Sequence, residues 1–144
     1  MKNISWERNY RKYKRYNKWP FDCIISLTKK HIKNSKNLKA LDLGTGGGNN
    51  SIFLQAEKFN VFGIDKSKTS IRLTKKVVKK KFHNQIIRAN FKTMPFKNSF
   101  FDLIIDRMSL SHNSEQDVKY IVKEIKRVMK NNSIFITSFH SNKN

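Results

Sequence analysis

A chain of 144 residues makes one domain and leaves little room for a second, and its 38% hydrophobic and 12% aromatic residues can bury one core, which excludes wholesale disorder. No run approaches the ~20 apolar residues that span a bilayer, and the basic, aromatic start Met1 to Trp19 lacks the apolar stretch of a secretory signal. The net charge of +21 points to an anionic partner such as RNA or a membrane surface, or only to biased composition, because Lys and Asn are spread along the whole chain.

In chain order, residues 2–19 read as a basic amphipathic helix. Trp6, Tyr10 and Tyr13 recur at i, i+4 and i+7 and share one face. Pro20 ends or bends it. Residues 21–33 read as a second helix, with Ile24, Ile25, Leu27 and Ile32 available for a core. A polar linker, His31 to Lys39, follows. Then strands and helices alternate. Leu38 to Leu43 reads as a buried strand and Asn50 to Lys58 as a helix. Val61 to Ile64 is a second strand. Ser67 caps a helix that runs to Lys81, with Ile71, Val78 and Phe82 inward. Gln85 to Arg88 and Phe101 to Ile105 are the third and fourth strands. Ser114 and Asp117 open a helix over 115–130 in the manner of a capping box. Val118, Ile121, Val122, Ile125, Val128 and Met129 form its apolar stripe. Asn131 and Asn132 turn the chain into a fifth strand, Ser133 to Phe139. This alternation predicts an α/β fold: a doubly wound, mostly parallel sheet of about five strands with helices on both faces. The division expected is a helical cap over 1–36 and a ligand-binding core over 37–144.

The chemistry concentrates in Leu41-Asp42-Leu43-Gly44-Thr45-Gly46-Gly47-Gly48. Four of the five glycines of the chain lie here, between a strand and a helix, where a backbone turns sharply and meets a ligand. A dinucleotide fingerprint would need glycine at 49, where the chain has Asn49. Asp42 would repel a pyrophosphate at the following helix N-terminus and suits a cation instead. No Gly-Lys-Ser/Thr closes the segment, which excludes a Walker-type phosphate loop. Asp65 ends the second strand about 20 residues further on, where an acid holds ribose hydroxyls.

These residues resemble the small class I, S-adenosylmethionine-dependent methyltransferase family, over about residues 38–139. The family's D-x-G-x-G-x-G stands as Asp42 to Gly48. Its second-strand acid stands in Gly63-Ile64-Asp65-Lys66-Ser67. Ala89 to Phe96 is similar to its acidic residue followed by Leu-Pro-Phe, Ser99 to Ile105 to its fourth strand, and Glu124 to Lys130 to the helix before its fifth. The resemblance implies a Rossmann-like core and S-adenosylmethionine as cofactor, with S-adenosylhomocysteine as product. It implies that Asp42, Gly44, Thr45 and Gly46 surround the methionine part, that Asp65 and Lys66 meet the ribose, and that Asn90 and Phe91 flank the adenine. Asp106 and Arg107 would face the reaction centre. Asn90 stands where the family usually has aspartate, and it accepts hydrogen bonds more weakly.

Methyl transfer needs orientation more than a base, so His112, after the fourth strand, is a candidate general base and not a required one. Trp6, Tyr10 and Tyr13 either form a lid or pack on the sheet. No metal is assigned. The C-terminal antiparallel hairpin that relatives in the family usually carry is missing, so the chain is either a minimal or truncated version, or a homo- or hetero-oligomer covers the fifth strand's edge. The acceptor is open between a small molecule and RNA. A non-catalytic cofactor-binding or scaffolding subunit is the alternative. The single cysteine, Cys23, suggests a cytoplasmic protein.

Overall fold

The computed structural model describes residues 5–13, 17 and 19–139. The elements are α1 (Trp6–Tyr13), α2 (Asp22–His31), β1 (Lys39–Leu43), α3 (Asn49–Ala56), β2 (Asn60–Asp65), α4 (Lys68–Val77), β3 (Ile86–Arg88), β4 (Phe101–Arg107), α5 (Glu115–Val128) and β5 (Met129–Ser138). Short 3-10 turns lie at Lys80–Gln85 and Leu110–His112. The strands form one five-stranded sheet in the order β3-β2-β1-β4-β5, and every pairing is parallel. The chain builds outward from β1 in one direction and then in the other. The switch point therefore falls between β1 and β4, and a ligand crevice opens beyond their carboxyl ends.

Alternation along the strands divides the core. Ala40, Val61, Leu103 and Ile105 pack against Ile24 of α2, Phe53 and Leu54 of α3 and Ile71 of α4. Leu41, Leu43, Ile64 and Ile104 face the other way, onto Ile121, Ile125 and Val128 of α5. The helices thus cover both faces, as the apolar stripes predict. Two positions read as core are exposed: Leu27 on α2 and Val122 on α5. Each lies at the margin of its stripe and turns past the sheet.

Several boundaries differ from expectation. Of the predicted helix 2–19, Trp6–Tyr13 is helical, and residues 2–4, 14–16 and 18 lie outside those described. Helix α4 stops at Val77, not Lys81, because Val78 turns extended and a 3-10 turn brings Phe82 into the core. Strand β4 runs two residues beyond Ile105, so Asp106 and Arg107 belong to the strand itself. Asn131 and Asn132 do not separate α5 from β5. They form an exposed irregularity inside β5, where Asn132 takes φ 62° and the register to β4 shifts between Phe101 and Leu103.

No helix joins β3 to β4. The connection is held by Arg127 of α5, whose guanidinium donates to the carbonyls of Phe96 (2.7 Å) and Met94 (2.9 Å) while Glu124 accepts from it on both oxygens. Glu124 also accepts the Met94 amide at 2.7 Å. Edge-to-face rings of Phe62, Phe96, Phe100 and Phe101 fill the space beneath. A lysine at 127 keeps the charge but loses the planar fork. R127K is expected to lower stability by about 2 kcal/mol, read as a shifted urea midpoint at unchanged slope.

Candidate active site

Strand β1 delivers the glycine loop to the crevice. The amide of Gly44 donates to Ile64 O at 2.8 Å, and the Ser109 hydroxyl donates to Leu43 O at 2.9 Å. Gly44 has φ +81°, and a Cβ there would lie 1.9 Å from Ser109 Oγ. Only glycine lets the turn after β4 close on the end of β1. At Gly46, φ is +54° and a Cβ would lie 2.7 Å from the Tyr10 hydroxyl. The loop is thus pressed between β4 and α1.

Asp65 ties this loop to β2. One of its oxygens accepts the Gly46 amide at 3.0 Å and the other accepts the Ser67 amide at 2.8 Å. The Gly46 carbonyl accepts from Ser70 at 2.8 Å and from Thr74 at 3.3 Å, both on α4. Carboxylate, loop and helix therefore form one rigid wall.

Helix α1 closes over that wall although none of its residues is fully buried. Glu7 holds it. Its carboxylate accepts from the Ser67 hydroxyl (2.7 Å), the Thr69 hydroxyl (2.7 Å) and the Thr69 amide (3.1 Å), at the N-terminus of α4. Those bonds, led by the Thr69 hydroxyl, lower the Glu7 pKa from 4.5 to about 2. Trp6 and Tyr10 then lie over the crevice, and Trp6 meets His112 edge-on at 4.7 Å.

Two adjoining cavities result. The first, about 140 Å³, is bounded by Gly44, Asp65, Lys66, Phe91, Ser109 and Asn113. The second, about 360 Å³, runs along Thr45, Gly46 and Gly47 to Asn49, Asn50 and Phe21. Trp6, Tyr10, Gly44, Arg107 and His112 border both. Of the residues expected from sequence, Gly44, Thr45, Gly46, Asp65, Lys66, Phe91, Arg107 and His112 are brought together here. Three are not part of the lining. Asp42 is buried under α3, where it accepts from Ser51 at 2.5 Å. Asp106 is fully buried and accepts from the Ser109 amide, the Leu110 amide and the Thr137 hydroxyl. Asn90 is exposed and accepts from the Lys92 amide. Alternation in β1 explains Asp42, because it shares the face of Ala40, which packs toward α2 and α3 and away from α5.

Glu7, Phe21, Asn50 and Ser109 were not singled out in sequence. Glu7 carried a signal, as the sole acid before Asp22. Asn50 Oδ1 is buried with no hydrogen-bond partner among the described residues. Arg107 stacks its guanidinium 4.0 Å over the ring of Phe21, which fixes the cation at the rim.

The geometry defines a class of fold: a doubly wound parallel sheet with a crevice between a glycine loop and a second-strand acid. The chain belongs to the methyltransferase domain family, whose model matches residues 34–144. An uncharacterized protein of Methanocaldococcus jannaschii, MJ0638, is 33% identical over 109 residues, covering 74% of this chain and 43% of that protein. The crystal structure of the PH0226 protein from Pyrococcus horikoshii OT3 superimposes with a TM-score of 0.77 at 27% identity, covering 94% of this chain and 66% of that one. An S-adenosylmethionine-dependent methyltransferase from Mesorhizobium loti shares the fold, with a TM-score of 0.67 at 16% identity, covering 81% of this chain and 53% of that one. The chain thus spans less than two thirds of the length of these relatives. Among the described residues no helix is long and apolar enough to cross a membrane.

Burial raises all three strand-end carboxyls. Asp42 rises to about 7 and Asp106 to about 6, and Asp65 moves in the same direction. A raised folded-state pKa favours folding while the group is protonated, so this contribution is present below about pH 4 and lost as pH rises through 6 to 7. Glu7 has the opposite sign, and its contribution fades only below about pH 4.5. Thermal stability of the ligand-free chain is expected to fall between about pH 4.5 and pH 7. D42N should flatten that fall by on the order of 3 kcal/mol, which melts at several pH values would measure. E7A is expected to strip hydrogen-exchange protection from α1 while leaving the sheet amides protected, and equal loss in both would refute a latch.

Proposed function

We propose that this crevice binds S-adenosylmethionine and that the chain directs its methyl group to an acceptor at the mouth. The observation that carries the reading is the Asp65–Gly46 bond, which makes a carboxylate and a glycine loop one wall of the cavity. The residues suit this ligand. Asp65 accepts two amides and keeps lone pairs for two ribose hydroxyls. Phe91 offers an apolar ring to the adenine. Asn50 Oδ1 is an acceptor suited to an ammonium group, and Arg107 a cation suited to a carboxylate. Asp42 and Asp106 lie outside the lining and act through their charge. Each becomes fully charged when a cation approaches, so binding should strengthen with pH through the range where they titrate.

When bound, the cofactor supplies an electrophilic methyl on a sulfonium, open to in-line attack by a nucleophile. The chain's own part is orientation and exclusion of water. Trp6 and Tyr10 roof the crevice, and Glu7 keeps them there. His112, which lines both cavities beside Trp6, is assigned the role of accepting the acceptor's proton. The helices over 1–36 would thus serve as a cap on the core over 37–144. The single cysteine accords with a cytoplasmic setting.

Calorimetry tests the reading. Both S-adenosylmethionine and S-adenosylhomocysteine are expected to bind with Kd on the order of 1–100 µM. D65A should remove the binding by deleting the ribose acceptor. G46V should remove it by forcing a β-branched residue into positive φ against Tyr10. Binding of NADH with neither of these ligands would overturn the proposal. Cofactor binding without turnover on any acceptor would favour a scaffolding subunit instead.

A further inference from the structure

A third hollow lies on the outer side of α1, between it and α4. It encloses about 750 Å³ and is walled by Arg11, Lys68, Arg72, Lys75, Lys76 and His83. Its one carboxylate, Glu7, is already occupied by Arg11, Ser67 and Thr69. Among the described residues none of Lys68, Arg72, Lys75 and Lys76 has a carboxylate partner, and four positive charges stand uncompensated along about 12 Å of helix. His83 Nε2 has no hydrogen-bond partner among the described residues either.

This is more than the general basicity of the chain. From Lys66 to Phe101 the sequence holds 11 Lys and Arg residues and no Asp or Glu. Lys79, Lys80 and Lys81 continue the cationic surface beyond the end of α4. Tyr13, which ends α1 two residues after Arg11, is 52% exposed. A cationic track beside an exposed ring is the pairing that holds single strands, with phosphates in the track and a base on the ring.

We infer that the α1–α4 groove binds the phosphodiester backbone of a single-stranded polynucleotide and leads it along α1 toward the crevice mouth. Helix α1 is the shared wall. Glu7 and Arg11 face the groove, while their neighbours Trp6 and Tyr10 face the cofactor cavities. As an assignment of the methyl acceptor this rests on the methyl-transfer reading; the binding itself does not.

The test is fluorescence anisotropy of the full chain with labelled oligo(U) and oligo(dT) of about 12 nucleotides, over a salt series. Two variants each remove four positive charges. One carries K68Q, R72Q, K75Q and K76Q in the groove. The other carries K30Q, K97Q, K123Q and K126Q, exposed elsewhere. The groove variant is expected to bind about tenfold or more weaker, with a slope of log K against log salt shallower by about 2–3. The second variant should change by less than about twofold. The ratio of oligo(U) to oligo(dT) affinity tells RNA from DNA. Equal losses in the two variants, no oligonucleotide binding at low salt, or capture by phosphatidylserine vesicles alone would overturn the inference. Calorimetry with S-adenosylmethionine on the groove variant should give unchanged affinity. If the native chain binds oligonucleotides but not the cofactor, the methyl-transfer reading falls and the groove stands.

Discussion

The hydrogen bond from the Gly46 amide to the Asp65 carboxylate joins two loops that leave neighbouring strands, and most of the site is organised from it. It fixes the glycine loop at the end of β1 relative to the end of β2. The Gly46 carbonyl passes the connection to Ser70 and Thr74 on α4. The N-terminus of α4 in turn receives Glu7 from α1. Loop, second strand, helix and cap therefore form a single series of polar contacts. Removing any member leaves buried donors or acceptors without partners, which costs more than the bond itself contributes.

The electrostatics of this arrangement run against the composition. A chain of net charge +21 keeps three of its ten acids at the ends of β1, β2 and β4 and buries them. Desolvation outweighs their hydrogen bonds and raises their pKa values. Such carboxyls are unfavourable as buried anions at neutral pH, and a nearby cation would relieve that cost. The cations that line the cavities, Lys66 and Arg107, stand at the rim over the rings of Phe91 and Phe21.

Helix α1 is the element on which both functional readings meet. Its inner side carries Trp6 and Tyr10, and its flank toward α4 carries Glu7 and Arg11. A short helix with no fully buried side chain has little stability of its own. Its position is set by what it touches, so the latch at Glu7 determines whether the crevice is roofed and whether the groove has a second wall.

Local sequence determined the elements of the core, because burial on two sheet faces imposes apolar runs and stripes that are readable along the chain. It also determined the glycine loop and Asp65, since strand, loop, helix and acid follow one another at fixed spacing. Their joint arrival at one cavity follows from parallel pairing of adjacent strands. What tertiary structure decided depends on groups far apart in sequence. Asp42 points under α3 rather than into the crevice, because the register of β1 fixes which face it takes. Asn90 stays at the surface, bonded to its own turn. Helix α4 ends four residues early because Phe82 is needed in the core. The Asn131–Asn132 turn becomes an irregularity within β5 because pairing with β4 begins before it. The value of Glu7 as a latch required the N-terminus of α4 to be placed beside α1. Periodicity reports which face of an element is apolar, and only packing reports what that face meets.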